Sequence, residues 1–383
     1  MEEENMSDTE KILNYFKEHQ NELLDVLKGA VEYESPSHES KEVSDRCGQY
    51  FQNIFKDLGF SIEVIPQTDC GDHFIAELGT GEKGTLIVGH YDTVFPIGTL
   101  KTMPFKIEGD KAYGPGIMDM KGGIILGYFA VKALKELDFL PDTKITFFIN
   151  SDEESGSFRS SDLIVAEAKK NKHVLVLEPG LDQLGFIKTR RYGRGTYKIT
   201  AHGRSAHSGT NPHAAINPML ELSHQMIKFH ERSCYDKGLT LTPTCMGSGI
   251  LGTCMVPETA WLSMDCRFGT QAIAEATHQE LLNMKAIVPG IHMEVEGAID
   301  KPFYAADPDM LNKAKELGKE ADMEVLECTV GGGSDGNFTS AAGCPTLDGL
   351  GMSGQYLHNL GEYINVNYIP QRGAMLARLI QTL

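Results

Sequence analysis

Three short runs, nearly all apolar, constrain this chain more than any other feature: Leu86-Ile87-Val88, Lys144-Ile145-Thr146-Phe147-Phe148-Ile149-Asn150 and His173-Val174-Leu175-Val176-Leu177. Apolar residues at successive positions bury both faces of a strand, which is the habit of parallel strands in α/β sheets covered on both sides. Each run ends in polar residues. The first opens into Gly89-His90-Tyr91-Asp92-Thr93-Val94, the second into Ser151-Asp152-Glu153-Glu154-Ser155-Gly156-Ser157, and the third into Glu178-Pro179-Gly180. Because α/β sheets place ligands beyond the carboxyl ends of their strands, the runs that set the fold also point to a site.

The rest of the chain fits around these strands. Ile12, Leu13, Phe16, Leu23, Leu24 and Leu27 recur at helical spacing, which predicts a helix from Thr9 to about Lys28 with Gly29 as its stop. After the Ser35-Pro36-Ser37 turn, Tyr50, Phe51, Ile54, Phe55 and Leu58 mark a second amphipathic helix, and both read as cover for a sheet. Strands are expected at Ser61 to Ile65 and Phe74 to Leu78. A turn-rich stretch from Pro104 leads into Ile117-Met118-Asp119-Met120-Lys121-Gly122-Gly123 and a long helix through Leu126, Phe129, Ala130 and Leu134.

At Arg190 the pattern changes. Tyr197 to Ala201, Asn217 to Phe229, Leu239 to Thr242, Thr259 to Arg267, Gln271 to Ile287 and Ile291 to Glu296 read as β, α, β, β, α, β, the order of an inserted α+β ferredoxin-like domain. The first pattern returns with a helix at Asp307 to Ala321, a strand at Glu324 to Leu326 and a closing amphipathic helix. The expected organisation is an α/β domain of residues 1–189 and 303–383, a mixed sheet with helices on both faces, interrupted by residues 190–302.

With 383 residues the chain is long for one core, which agrees with two domains. A net charge of −18 argues against nucleic-acid or anionic-membrane partners, which need a basic face. The eight cysteines are scattered without a Cys-x-x-Cys pair, as free thiols in a reducing cytosol would be. Met1-Glu2-Glu3-Glu4-Asn5 lacks the basic start of a leader, and no apolar run reaches membrane-spanning length, so a cytoplasmic location is expected.

Six residues gather at or near strand ends in this reading: His90, Asp119, Glu153, Glu154, Glu178 and His358. Alternation along the strand puts His90 and Asp92 on one side, where a carboxylate can orient an imidazole whose other nitrogen meets a metal. Taken singly, His90 also reads as a hydrogen-bonded core histidine and Asp119 as a helix cap. The adjacent acids of the 152–154 run would repel one another at a buried strand end unless a cation held them. Two imidazoles and three carboxylates suit two zinc ions, and a further carboxylate is left over as the base that a hydrolase needs.

These motifs, together with Gly-Pro-Gly-Ile-Met-Asp-Met-Lys-Gly-Gly, Leu-Glu-Pro-Gly and the late His358, resemble the dinuclear-zinc exopeptidase and aminoacylase family, and within it the folate-hydrolysing glutamate carboxypeptidases. The resemblance implies two zinc ions per subunit, with cobalt or manganese as substitutes. One would be held by His90 and Glu178, the other by Glu154 and His358, with Asp119 between them and a cis bond from Asp119 to Met120. It makes Glu153 the general base and Asp92 the carboxylate behind His90. Gly203-Arg204-Ser205-Ala206-His207-Ser208-Gly209 resembles the segment whose histidine stabilises the oxyanion across a dimer. Asp265-Cys266-Arg267 and Gly332-Gly333-Ser334-Asp335 resemble substrate-carboxylate contacts. Read alone, Arg267 would pair with Asp265 or Glu258, His207 would be a surface histidine and the glycine loop a turn.

Two positions depart from the family. Cys254 stands where asparagine is usual, and Lys301 where folate-hydrolysing members have arginine. Both bear on substrate recognition and neither on the metal ligands. The expected activity is therefore hydrolysis of a small peptide or N-acyl amino acid next to a carboxylate-bearing residue, by a homodimer joined through the inserted domain. A tripeptide aminopeptidase or N-acyl-amino-acid deacylase is the alternative within hydrolases, and a catalytically silent metal-binding scaffold the alternative outside them.

Overall fold

A computed structural model describes residues 6–81, 84–249 and 254–383; the Met1–Asn5 segment read for a leader lies outside them. The chain divides into two compact units, residues 1–190, 305–329 and 334–383 in the first and residues 191–304 and 330–333 in the second.

The first unit is built on a mixed sheet whose neighbouring strands are, in order, Ser61–Ile65, His73–Leu78, Ile145–Asn150, Thr85–His90, His173–Val176, Thr346–Asp348 and Ile187–Arg191. The strands from Ile145–Asn150 to Thr346–Asp348 run parallel, so Asn150, His90, Val176 and Asp348 end at the same edge. The continuous apolar runs have a direct explanation. Ile87, Phe147, Ile149, Leu175 and Leu177 face the larger core, while Leu86, Val88, Phe148, Val174 and Val176 face a smaller one with Ile164 and Ala168 of the helix Ser161–Ala168. The larger core takes in the helices Gly122–Glu136 and Ile369–Thr382. Gly123 lets the first of these approach the strand that leads to Glu178, because a Cβ there would lie 2.1 Å from the Leu177 carbonyl.

Local expectations fail in instructive places. The first helix is two, Asp8–Glu18 and Gln20–Val31, broken at His19, and Gly29 does not stop the second but lies against the Tyr50 ring. The strand expected at Glu324 to Leu326 forms instead at Glu327–Val330. A small antiparallel sheet of Gly354–Gln355, Tyr363–Asn365, Lys111–Tyr113 and Lys106–Glu108 was not legible, since strands of two or three residues carry no periodicity.

In the second unit the strand order is Leu239–Ser248, Thr259–Phe268, Gly193–His202, His292–Lys301, all antiparallel, with the helices Pro218–Arg232 and Gln271–Leu282. Ala260, Leu262, Met264, Cys266 and Phe268 alternate into a core shared with both helices, which leaves Asp265 and Arg267 on the opposite face. No helix of the described residues is long and apolar enough to cross a membrane.

Candidate metal centre

His90 closes its strand and is 1 % exposed. Its Nδ1 lies 3.0 Å from the Asp92 carbonyl and 3.3 Å from Asp92 Oδ1, both acceptors, so this nitrogen carries the proton and Nε2 faces the cluster. That Nε2 is 3.2 Å from Asp119 Oδ1 and 3.5 Å from Glu178 Oε1. Asp92 does more than hold the ring: Oδ1 accepts the Glu153 amide at 3.2 Å, and Oδ2 accepts the Glu154 amide at 3.1 Å and the Ser37 hydroxyl at 2.8 Å. One buried carboxylate thus sets the positions of a histidine and two glutamates.

Asp119 is not a helix cap. It sits in the irregular Ile117–Lys121 turn after Gly116, whose φ of +69° suits glycine, and its bond to Met120 is cis. Its two oxygens face different imidazoles, with Oδ2 3.0 Å from His358 Nε2. His358 stands in the loop between Gly354–Gln355 and Tyr363–Asn365, at a φ of +61°, and its Nε2 is also 3.1 Å from Glu154 Oε1. The small sheet that escaped sequence reading is what presents this histidine. Glu178 lies just beyond His173–Val176 and meets Lys188 Nζ at 3.4 Å.

The electrostatics point to missing positive charge. Burial and the Asp119 charge push Glu154 up to about 8 against the pull of His358. The Asp119 carboxylate, which accepts from its Nε2, and the nearby Glu154 carboxylate raise His358 to about 11. Burial would depress His90, but the carboxylates of Asp119, Asp92 and Glu178 around its ring hold it well above the usual imidazole value. Acids gathered this closely favour positive charge among them, which a bound cation supplies.

Donor atoms of His90, Asp119 and Glu154 all lie within 4.8 Å of one another, as do those of His90, Glu153 and Glu178. His90 Nε2, Asp119 Oδ1 and Glu154 Oε1 are buried and make no hydrogen bond among the described residues. Buried polar atoms are rarely left so, and nitrogen and oxygen donors in this arrangement fit divalent metal. Alongside runs a groove of about 590 Å³ lined by Met118, Pro179, Leu181, Lys188, Tyr356 and Leu357, three of which are chain neighbours of Asp119, Glu178 and His358.

Two supporting residues had no sequence signal. Glu362 Oε1 accepts the amides of Met118 at 2.8 Å and Asp119 at 3.2 Å, and burial pushes its carboxyl up to about 8. Lys188 lies on the strand Ile187–Arg191, too polar to be recognised as one. Ser334, expected among the substrate contacts, is fully buried; its hydroxyl donates to Asp348 and its amide to Asn337.

In the second unit, His207 is exposed, and its Nδ1 accepts the amides of Gly209 at 3.1 Å and Thr210 at 3.0 Å, leaving Nε2 as the protonated nitrogen of the neutral ring. The Ser208 amide bonds the carbonyl of the exposed Cys254 at 2.9 Å. Arg267 forks onto Asp265 at 2.8 and 3.1 Å and donates to the Gly331 carbonyl at 3.2 Å. Gly333 accepts from Arg191 at 2.9 Å, and Lys301 is buried in its strand.

Fold and donor set together define an α/β protein with a candidate two-metal centre at the carboxyl edge of its sheet. The description "Peptidase family M20/M25/M40" matches residues 86–382, and the chain belongs to that family. It is 30% identical over 372 residues to carboxypeptidase G2 of Pseudomonas sp. (strain RS-16), covering 94% of this chain and 89% of the relative. It is 28% identical over 357 residues to the succinyl-diaminopimelate desuccinylase of Methylorubrum populi, covering 85% and 90%. Among solved structures, aminopeptidase PepT from Bacillus cereus superposes with a TM-score of 0.77 at 20% identity, covering 94% of this chain and 98% of that one.

Proposed function

We propose that the chain is a zinc-dependent hydrolase that cleaves a peptide or amide bond next to a carboxylate-bearing residue, in the manner of a glutamate carboxypeptidase. The observation that carries this reading is the convergence of His90 Nε2, Asp119 Oδ1 and Glu154 Oε1, buried and unbonded, beside His358 and Glu178. His90 and Glu178 would hold one zinc, Glu154 and His358 the other, and Asp119 both. Bound there, the pair would supply Lewis acidity and ease the ionisation of water.

The remaining steps belong to the chain's own groups. Glu153, its backbone pinned by Asp92, takes the proton of the attacking water and delivers it to the leaving amine. Asp92 keeps His90 in the tautomer that presents Nε2. His207 offers an N–H to the developing oxyanion. Arg267 has five N–H donors and commits three to Asp265 and Gly331, which leaves two for a substrate carboxylate. Gly333, Cys254 and Lys301 complete the proposed substrate contacts, and the groove beside the centre takes the acyl part. The names of two relatives, a carboxypeptidase and a desuccinylase, both describe amides that bear a carboxylate. A homodimer through residues 190–302 and a cytoplasmic setting belong to the same proposal.

Glu153 is also close enough to His90 and Glu178 to be a ligand, so its role is the point to test. Glu153→Gln should lower turnover of an N-acyl-glutamate by about 10²–10⁴-fold while both zincs are retained in elemental analysis. Loss of a zinc would make Glu153 a ligand instead. A panel of acyl-glutamates, acetylated amino acids and tripeptides separates carboxypeptidase from deacylase and aminopeptidase, and a zinc-loaded protein inert on all of them would sink the enzymatic reading.

A further inference from the structure

In the second unit a cleft of about 310 Å³ opens between the helices Pro218–Arg232 and Gln271–Leu282. Both helices pack on the same sheet, where buried side chains are ordinarily apolar, yet the lining of this cleft includes Gln225 and Thr277, 0% and 1% exposed. Gln225 Nε2 donates to Glu221 Oε1 at 2.7 Å and to the Lys285 carbonyl at 3.0 Å. Both partners are pure acceptors, which fixes the orientation of the amide and leaves Oε1 as an acceptor that receives nothing from the described residues. A threonine inside a helix can bond the carbonyl one turn back, but Thr277 Oγ1 makes no hydrogen bond among the described residues.

The rim supplies charge. Lys228 and Lys285 are exposed beside the cleft, and Arg232 is paired with Glu280 at 3.0 Å, so the rim carries an excess of cations on a chain whose net charge is −18. Phe229 and Leu281 add apolar wall. Free carboxylate, a hydrogen-bond donor and a short aliphatic chain are the complement of this lining, and the volume lies at the small end of ligand sites.

We propose that this cleft binds a free α-amino acid, its carboxylate toward Lys228, Lys285 and the Thr277 hydroxyl and its ammonium toward Gln225 Oε1 and Glu280. None of these residues belongs to the metal centre or to the proposed substrate contacts, so this is a second site.

The zinc-loaded full chain, titrated calorimetrically with L-glutamate, L-leucine and succinate, provides the test. Binding of both amino acids should weaken about ten-fold or more in Lys228→Ala/Lys285→Ala, the loss expected for a charge-assisted hydrogen bond. Both lysines are exposed, so this variant does not endanger folding, and its turnover without added amino acid should stay unchanged. Succinate, which has no N–H donor, should bind more weakly than glutamate at this site. Thr277→Val should reproduce the loss. Amino-acid binding that is absent, or identical in the wild type and the lysine variant, overturns the proposal, as does a crystal soaked in L-glutamate with only ordered water in the cleft.

Discussion

Replacing Asp92 by asparagine changes one atom and tests the arrangement around it. Oδ2 accepts from the Ser37 hydroxyl and the Glu154 amide, while Oδ1 accepts from the Glu153 amide and faces His90 Nδ1. An asparagine nitrogen on the Oδ1 side would oppose two N–H groups. On the Oδ2 side it opposes only the Glu154 amide, since the Ser37 hydroxyl can turn and accept, and so it settles there. The cost is one unpaired buried amide, about 1–3 kcal/mol of stability. His90 keeps a neutral oxygen in place of a charged one and becomes a weaker donor to metal. Loss of such a partner behind a histidine ligand lowers metal affinity by about 10–100-fold, or about 1.4–2.7 kcal/mol. Competition with a chromophoric chelator reads the affinity, and denaturant unfolding of the metal-free protein reads the stability. Zinc affinity within a factor of about two of the wild type, with turnover intact, would refute the role given to Asp92.

Two further outcomes follow from the same geometry. In the metal-free protein His358, raised to about 11, is protonated at neutral pH, and Glu154, raised to about 8, largely so. Metal must displace these protons, so loading should release them and apparent affinity should fall as pH falls; calorimetry in buffers of different ionisation enthalpy measures the release, and none at pH about 7.5 would contradict the assignment. Arg372 is buried, pairs with no carboxylate among the described residues, and donates to the carbonyls of Gly351, Gly185 and Gly349 at 2.5, 2.6 and 2.6 Å, and Gly351 in turn donates to the Glu178 carbonyl. Arg372→Met should therefore cost about 3–5 kcal/mol in denaturant unfolding, and a cost below about 1 kcal/mol would show those carbonyls otherwise satisfied.

What the sequence discloses and what it hides divide along physical lines. The central strands were legible because burial on both faces writes a continuous apolar run, and the residues just past their ends were legible because topology gathers such ends at one edge. His358 was grouped with them as a loop histidine and given its place in the pair by resemblance, but the sheet that carries it left no trace in two- and three-residue strands. Glu362 reads as a solvated loop acid until the fold sets it beneath the Asp119 turn. Arg372 reads as the polar face of an amphipathic helix, and only the loops folded over that helix bury it. The break at His19 went unseen because apolar spacing continues across it. Ser161–Ala168 has eight residues, too few for a clear period.

The central claim is that His90, Asp119, Glu154, Glu178 and His358 hold two metal ions. Crystals of the zinc-reconstituted protein, measured at the zinc absorption edge, test it most directly. Two anomalous peaks should appear on either side of the Asp119 carboxylate, one against His90 and Glu178 and the other against Glu154 and His358. A single peak, or none, in fully reconstituted protein would contradict it.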